Sequence, residues 1–313
     1  MGTRVFVLGA TGVVGARAVR ELVGAGHEVT GLARCADARA LLQGLGARAA
    51  EADAFDEAKL RGVFASHETV VNLMTHIPPS AKAMWPRAWR ENDRLRRVGA
   101  GVVARAALGA GAQRLVQESL ILNYPDRGSE WLDEDVALAP AGPAAGAAVA
   151  EAHARHFGDS VILRFASFYG PDSEQSLAQV AWARRGWSLH PAPAGAFTSM
   201  VWLEDAARAV LAALNAPPGV YNVVEQQPFT RAQADDALAA AVGRAQLRSL
   251  GGAGRRLAIA RALSRSQRVS AERLREATGW SPRVRSPREG WPLMVAALES
   301  ERGARTPALG TRG

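Results

Sequence analysis

The stretch RVFVLGATGVVG, residues 4–15, decides the fold that we expect for this chain. Arg4–Leu8 is a short apolar run with β-branched and aromatic side chains, which predicts a buried strand. Three glycines follow at positions 9, 12 and 15, and a helical pattern continues over residues 16–25. Because the glycines stand between a predicted strand and a predicted helix, the motif is far more informative than glycines at this spacing alone.

The glycine turn predicts a binding site for the pyrophosphate of a dinucleotide. The first glycine permits a tight turn, the second lets the backbone approach the phosphates, and the third lets the helix pack on the strand. The amide groups at the start of the helix then face the anion. The alternative is a glycine turn that binds nothing. The predicted contacts are Gly9, Ala10, Thr11, Gly12, Val13, Val14 and Gly15.

Residues near the ends of the second and third strands indicate which dinucleotide binds. Glu28–Leu32 predicts the second strand, and no carboxylate follows it that could hold the ribose 2′-hydroxyl of NAD. Arg34 could instead meet a 2′-phosphate, so we expect NADP(H) to be preferred over NAD(H), unless Arg34 is only a solvated loop residue. Asp53, followed by Ala54, closes a weak third strand where the adenine should lie. Asp53 could equally be the N-cap of a helix over residues 56–61.

Strand and helix patterns alternate along the chain, which predicts an α/β fold with a doubly wound parallel sheet. After Phe165 the loops lengthen and prolines accumulate, which indicates a smaller substrate-binding region. The further predicted strands are 47–50, 69–74, 115–118, 161–165 and 219–224, and the further predicted helices are 95–108, 144–156, 230–241 and 271–278. The predicted division is a Rossmann domain over 1–166 and 199–224, a substrate-binding region over 167–198 and 225–302, and a frayed tail over 303–313.

The composition argues against several classes of protein. No apolar run approaches the roughly 18–20 residues of a membrane span, and no signal peptide is evident, so we expect a soluble, cytoplasmic protein. The single cysteine, Cys35, makes a disulfide or a metal site improbable. The net charge of +8 comes from the arginine-rich residues 244–289, which carry no nucleic-acid-binding signature. The expected partner is therefore a small-molecule substrate, an acidic one being an alternative, and the chain could form a homodimer.

Several further motifs resemble those of the extended short-chain dehydrogenase/reductase (SDR) superfamily, the NAD-dependent epimerase/dehydratase-like proteins. The similarity covers nearly the whole chain. Besides the glycine turn and Asp53, the motifs are VVNLM (70–74), LRFASFYGP (163–171), VWLEDA (201–206), VYNV (220–223) and GWSP (279–282). The resemblance implies a nicotinamide cofactor, and it places Leu73 and Met74 at the end of the strand beside that cofactor. These motifs are specific to the superfamily but do not identify a reaction.

The chain departs from this family at the catalytic residues. The family uses a Tyr-x-x-x-Lys pair at the start of the helix before the sixth strand. Aligning Glu151 with the usual glutamate of that helix places Pro143 at the tyrosine position and Ala147 at the lysine position. Neither side chain can transfer a proton. The serine that the family has after the fifth strand is matched by Ser119, although a one-residue slip would put Leu120 there.

Three side chains could supply a proton or a hydrogen bond to the substrate instead. Ser119 is the first candidate, as a donor at the substrate oxygen, and its alternative role is a turn serine. Tyr124, in the loop after the same strand, could supply a phenol, or could simply pack in the core. His76 follows the fourth strand at the edge where ligands bind, but a lone loop histidine is more often solvated.

A fourth hypothesis needs no acid from the protein, because a phenol of the substrate itself can hydrogen-bond the carbonyl that is reduced. Aromatic polyketides have this arrangement, and the chain resembles the atypical ketoreductases of such antibiotic pathways in lacking the Tyr–Lys pair. Aromatic residues that could stack on a flat ligand, or form core, are Trp182, Trp187, Phe197 and Trp202. The sequence thus predicts an NADPH-dependent ketoreductase for a bulky substrate. The alternatives are a non-catalytic cofactor-binding regulator and a redox-neutral epimerase or dehydratase.

Overall fold

The computed structural model of the chain describes residues 2–79, 82–83, 85–249 and 258–305. Its centre is a parallel sheet of seven strands in the order β7-β6-β5-β4-β1-β2-β3. The order reverses between β1 and β4, which is the switch point of a doubly wound fold. The strands are β1 Arg4–Leu8, β2 Glu28–Leu32, β3 Arg48–Ala50, β4 Thr69–Asn72, β5 Arg114–Leu120, β6 Ser160–Phe165 and β7 Gly219–Val223.

Helices cover both faces of this sheet. One face packs against α1 and α8, and the other packs against α3, α5 and α6. The helices are α1 Val13–Gly24, α2 Ala36–Gly44, α3 Glu57–Phe64, α4 Arg90–Arg94, α5 Ala100–Gly109, α6 Ala145–Arg155, α7 Glu174–Arg184, α8 Leu203–Ala213, α9 Arg231–Ala241, α10 Ala258–Leu263, α11 Glu272–Thr278 and α12 Pro287–Arg305. A wide π-helical turn, Leu95–Gly99, joins α4 to α5. None of the helices within the described ranges is long and apolar enough to cross a membrane.

A smaller region beside the central sheet contains pairs of short strands and has a hydrophobic core of its own. That core contains the fully buried Tyr169 and Trp291, whose ring centroids are 5.2 Å apart. The parallel short pairs are Trp131–Leu132 with Arg268–Val269, Ser167–Tyr169 with Met200–Trp202, and Trp187–Ser188 with Arg248–Ser249. Phe197–Thr198 pairs antiparallel with Phe229–Thr230.

The predicted fold class is confirmed, and the differences are shifted element ends and helices that the sequence did not predict. The fifth strand continues to Leu120, two residues beyond its predicted end, so Ser119 lies within the strand rather than after it. The helices that were not predicted are α2, α4, α7, α8, α10 and α12. Helix α7 shows little amphipathic periodicity. The last helix continues to Arg305, into the segment predicted to be a tail, and residues 306–313 lie outside the described ranges.

Candidate active site

The glycine turn brings β1, α1 and the end of β4 into close contact. Gly9 has a φ of +74°, and a Cβ atom built on it would lie 2.6 Å from the Leu73 carbonyl oxygen. A Cβ atom on Gly15 would lie 1.9 Å from the Gly9 carbonyl oxygen. Only glycine fits such contacts, because both neighbours are backbone atoms that cannot move aside. These two glycines are therefore required by the fold whether or not a ligand binds.

Gly12 differs from the other two glycines because it is exposed and its nearest backbone contact is less close. It is the exposed N-cap of α1, with φ −73° and ψ 171°, and no side chain caps the helix. A Cβ atom on it would approach only the Gly9 carbonyl oxygen, at 3.3 Å. The first turn of α1 carries no acidic residue that would compete with an anion. The start of a twelve-residue helix is thus free to receive a phosphate, as the sequence predicts.

Arg34 and Asp53 lie on the other side of the switch point, after β2 and β3. Arg34 is exposed and has no hydrogen-bond or ion-pair partner within the described ranges, whereas Arg39 on α2 contacts Glu51 at 3.6 Å. Asp53 is exposed, and its carboxylate accepts a hydrogen bond from the Phe55 N–H at 3.0 Å. Asp53 does not cap the following helix.

The cap of α3 is Asp56, whose carboxylate accepts from the Lys59 N–H at 3.0 Å. The alternative role considered for Asp53 therefore belongs to Asp56. Ala54, between them, is buried.

The end of β4 is fixed to its neighbours on both sides. The Leu73 N–H donates to the Leu8 carbonyl at 3.0 Å, next to the glycine turn. The Asn72 amide donates to Gln117 Oε1 on β5 at 2.9 Å, and it also accepts from the Met74 N–H at 3.2 Å. Leu73 and Met74 therefore lie at the sheet edge between the glycine turn and β5, where the resemblance placed them.

The positions of the missing Tyr–Lys pair hold small or rigid residues. Pro143 lies in the short 3₁₀ turn Gly142–Ala144 that leads into α6, and Ala147 is fully buried on α6. Neither side chain carries an ionisable group. Leu120, at the end of β5, is half-buried. The residues at the positions of the family's Tyr–Lys pair are thus hydrocarbon side chains without an acid or a base.

Ser119 and Tyr124 are both fully buried and belong to one hydrogen-bond network. The Ser119 hydroxyl donates to Glu151 Oε1 at 2.6 Å, and Arg164 Nε donates to the same oxygen at 2.8 Å. Arg164 Nη1 also donates to the Tyr124 hydroxyl at 2.8 Å, which in turn donates to Asn222 Oδ1 at 2.9 Å. The network connects α6 with β5, β6 and β7.

The electrostatics of this network hold its groups in fixed protonation states. Burial opposes ionisation of Glu151, but the hydrogen bonds and charge of Arg164 outweigh it and lower the pKa of the carboxyl. Burial raises the pKa of Tyr124 to about 12, despite the nearby charge of Arg164. Both hydroxyls are therefore neutral at pH 7 and directed to internal partners.

His76 lies apart from this network. It is exposed in the loop after β4, and its backbone N–H donates to Asn92 Oδ1 at 3.0 Å. Its imidazole ring has no partner within the described ranges. Of the three catalytic candidates, the structure joins Ser119 to Tyr124 through Glu151 and Arg164 and leaves His76 separate.

Sequence reasoning missed a buried ion pair close to these residues. Arg96 Nη2 donates to Glu118 Oε1 at 2.6 Å, and both side chains are almost completely buried. Arg96 stood among several arginines of an amphipathic segment, so nothing in the pattern distinguished it. The one available signal was the polar run Gln117–Ser119 at the end of an otherwise apolar strand.

The aromatic residues that the sequence suggested for stacking on a ligand have separate neighbours. Trp202 is buried against Tyr169, with ring centroids 5.1 Å apart, and belongs to the core. Trp182 is partly exposed on α7, while Trp187 and Phe197 contact the guanidinium groups of different arginines.

Across the described ranges, no group of three or more His, Cys, Asp or Glu side chains could hold a metal ion.

Comparison with known proteins agrees with this geometry. The family model "NAD dependent epimerase/dehydratase family" matches residues 5–223. A curated relative, the 3-diazoavenalumate denitrifying reductase of a Streptomyces species, is 32% identical over 305 residues, covering 92% of this chain and 98% of that protein.

Solved structures with the same fold include proteins with three different names. UDP-glucose 4-epimerase of Thermotoga maritima, with UDP-glucose, gives a TM-score of 0.76 at 19% identity, covering 96% of this chain and 99% of that one. The dTDP-glucose 4,6-dehydratase DesIV of Streptomyces venezuelae, with NAD, gives 0.78 at 20% identity, with coverage of 97% and 99%. Human epimerase family protein SDR39U1, with NADPH, gives 0.79 at 22% identity, with coverage of 94% and 99%. The chain therefore belongs to the NAD dependent epimerase/dehydratase family, within the extended SDR superfamily.

Proposed function

We propose that this protein is an NADPH-dependent reductase whose substrate accepts a hydride without a proton from the enzyme, and that this substrate is an aromatic acid whose diazo group reacts as an aryl diazonium cation. The observation that carries the proposal is the combination of Pro143 and Ala147 at the positions of the family's Tyr–Lys pair with hydroxyls of Ser119 and Tyr124 that bond internally. The curated relative, named a denitrifying reductase of a diazo acid, supports this substrate class.

The residues of the glycine turn fit a dinucleotide. The close approach of Gly9 and Gly15 to neighbouring backbone leaves Gly12 as the open position at the uncapped start of α1, where amide groups can hold a pyrophosphate. Arg34, without a partner in the described part of the chain, would meet the 2′-phosphate of NADPH. Leu73 and Met74 would lie beneath the cofactor at the sheet edge. Two structural relatives named above contain NAD or NADPH.

Hydride acceptors differ in whether they need a proton. Bound NADPH supplies a hydride. A ketone that receives it becomes an alkoxide and needs a proton, which enzymes provide through a positioned acid. A diazonium carbon that gains a C–H bond loses its C–N bond at the same time, and the nitrogen leaves as N₂ with the electron pair of that bond. The electron count balances without a proton, so a site without Tyr and Lys suffices.

The residues of this chain would then act mainly by exclusion and orientation. The half-buried side chains of Leu120 and Pro143 present hydrocarbon surface, which keeps water from a reactive electrophile. Ser119 and Tyr124 hold the sheet edge in place rather than donating a proton, because both hydroxyls already bond inside the core. Holding donor and acceptor carbons together is the chief contribution that such a site can make.

A second candidate is a ketoreductase for an aromatic ketone whose own phenol hydrogen-bonds the carbonyl. The same absence of an acid at positions 143 and 147 favours it, because the internal phenol would stabilise the developing charge. The two candidates share the cofactor and differ in the product.

The test is a turnover assay with purified protein and two matched substrates, an aryl diazonium acid and an aromatic ketone with a neighbouring phenol. Deuterated NADPH is the donor, and NADH is run in parallel. The proposal predicts release of N₂, deuterium at the former C–N carbon, and faster reaction with NADPH. Deuterium only in the alcohol from the ketone would support the second candidate. Tight cofactor binding without turnover of either substrate would contradict both and favour a regulator, and product formed without net cofactor consumption would favour a redox-neutral enzyme.

A further inference from the structure

Two adjoining clefts in the smaller region have no role in the chemistry proposed above. The first has a volume of about 310 Å³ and lies between α7 and α12. The second has a volume of about 380 Å³ and lies beside the end of α7 and the paired strands Trp187–Ser188 and Arg248–Ser249. Arg185 lines both clefts, so they meet at this residue. Together they form a continuous surface depression, which we call the α7 groove.

The first cleft of the α7 groove has a mainly apolar lining. Val180 and Ala181 lie three and four positions after Leu177 on α7, so the three side chains share one face of the helix. Leu298 of α12 completes this lining. Leu177 is 39% exposed, so folding leaves part of this apolar surface in contact with water. A bound apolar group would remove that surface from water.

The second cleft is cationic. Its lining includes Arg185, Arg244 and Arg248 beside Trp187, and among the described residues it contains no carboxylate. Arg244 Nη2 donates to the Arg184 carbonyl at 2.5 Å. The guanidinium groups of Arg185 and Arg248 have no ion-pair partner within the described ranges. Because three like charges border one cleft, an anion that enters it is attracted by all of them.

Aromatic rings hold two of these guanidinium groups beside the groove. The Arg185 Cζ atom lies 5.8 Å from the ring centroid of Trp182, and the Arg248 Cζ atom lies 5.9 Å from that of Trp187. Both separations fall within the roughly 6 Å at which an aromatic ring attracts a guanidinium group. An arginine side chain that already has a preferred position loses less conformational freedom when it binds an anion.

The combination of the two clefts indicates the chemistry of a ligand. An inorganic anion would use only the cationic cleft, and a neutral apolar molecule would use only the apolar one. A carboxylate attached to an apolar body uses both at once. The volume of each cleft lies in the range of roughly 300–1,000 Å³ that is typical of sites for small molecules.

We propose that the α7 groove binds an amphipathic carboxylic acid, whose apolar body lies against Leu177 and Leu298 and whose carboxylate meets Arg185 and Arg248. An arginine can hold a carboxylate through two parallel N–H···O bonds. The groove belongs to α7, α12 and the segment after α9, whereas the glycine turn belongs to β1 and α1. The protein would thus carry a second site for acids, and this site does not depend on the proposed reaction.

Titration calorimetry of the full chain with trans-cinnamate tests this proposal. The matched amide, trans-cinnamamide, has the same apolar body without a charge, and inorganic phosphate has a charge without an apolar body. The wild-type protein should bind trans-cinnamate about tenfold more tightly than either, because only this probe uses both clefts. The indole N–H resonance of Trp187, assigned with W187F, should shift on binding and so locate the probe in the groove.

The variants are R185M/R248M and L177N, with R20M as the control. All four positions are exposed, so these substitutions should leave the fold intact. R185M/R248M should bind trans-cinnamate and trans-cinnamamide within about twofold of each other, because the charge that distinguishes them has lost its partners. L177N should weaken the binding of both probes. R20M removes an exposed arginine of α1 and should bind both probes as the wild-type protein does.

The other outcomes contradict the proposal. It fails if trans-cinnamate does not bind, or if R185M/R248M binds it as tightly as the wild-type protein. Phosphate that binds as tightly as trans-cinnamate would reveal a simple anion site and would refute the amphipathic ligand. A loss of NADPH affinity in R185M/R248M would mean that the groove is part of the cofactor site. Failure of the turnover assay described above would refute the proposed function alone, since this titration needs no reaction.

Discussion

Individual residues of this chain separate into those that serve the fold and those free to serve a ligand. Ser119 and Tyr124 stand at positions that suggested catalysis, yet their hydroxyls complete a buried network around Arg164. Arg34 has the opposite character, because it is exposed and without a partner among the described residues. The two kinds of residue differ in whether their polar groups have hydrogen-bond partners in the folded chain, and a sequence does not reveal those partners.

The first prediction concerns Arg34 and cofactor choice. Arg34→Ala should weaken NADPH binding about tenfold and leave NADH binding unchanged, since only NADPH carries the 2′-phosphate that a charge-assisted bond would hold. Titration calorimetry with both cofactors measures this. Arg39→Ala is the control, because Arg39 already contacts Glu51. An equal loss of affinity for NADPH and NADH would show that Arg34 does not bind the 2′-phosphate.

The second prediction concerns Glu151. Glu151→Gln should lower the free energy of unfolding by about 3–5 kcal/mol, because it leaves the Arg164 guanidinium buried without a counter-charge. Urea denaturation at pH 7 measures the change. Glu272→Gln, which removes an exposed partner of Arg275, should leave the unfolding midpoint almost unchanged. A Glu151→Gln variant as stable as wild type would mean that the network does not hold the core.

At the scale of elements, the junction of β1 and α1 combines a structural requirement with an open binding position. Gly9 and Gly15 permit contacts with backbone that no other residue allows, while Gly12 only faces outward. The three glycines of one motif therefore have separable functions. The π-helical turn after α4 places Arg96 against β5, where it forms the buried ion pair with Glu118.

The third prediction uses this separation. Gly12→Glu should abolish dinucleotide binding, because it places a carboxylate at the anion-binding start of α1, and should change stability little, because its backbone is extended. Gly15→Ala should instead destabilise the fold, since its Cβ atom would overlap the Gly9 carbonyl oxygen. Thermal unfolding and cofactor titration on both variants distinguish the effects. A Gly15→Ala variant with wild-type stability would refute the packing argument.

At the scale of the whole molecule, a buried carboxyl beside the hydrophobic core around Tyr169 should make the free energy of unfolding depend on pH. Burial raises the pKa of Glu225 to about 8, although the Tyr169 hydroxyl donates to its carboxyl. The folded state therefore holds a proton that the unfolded chain releases near its ordinary pKa of 4.5. This contribution to stability is complete below that pKa and is lost as the pH rises towards 8.

The fourth prediction follows from the direction of this pH dependence. The free energy of unfolding should fall between about pH 5 and pH 8 in the wild-type protein, and the decline should be smaller in Glu225→Gln. Urea denaturation at a series of pH values measures both slopes. Identical slopes would show that Glu225 titrates as an ordinary surface carboxyl.

Much of this molecule could be predicted from its sequence, and the exceptions have physical causes. Strands such as β1, β4 and β6 were predictable because they are short apolar runs that are buried on both faces of the sheet. Helix α7 was not, because it lacks a clear apolar stripe. In the site, the glycine turn was predictable from its spacing. The Arg96–Glu118 pair was not, because its residues are 22 positions apart and become partners only in the folded chain.

Isotope effects on the reaction itself test the central claim most directly. Stopped-flow reduction of an aryl diazonium acid should slow when NADPH carries deuterium at the transferred position. The same step should be nearly unaffected when water is replaced by D₂O, because no proton moves with the hydride. A large solvent isotope effect on the hydride-transfer step would reveal a proton donor in the site and would contradict the account.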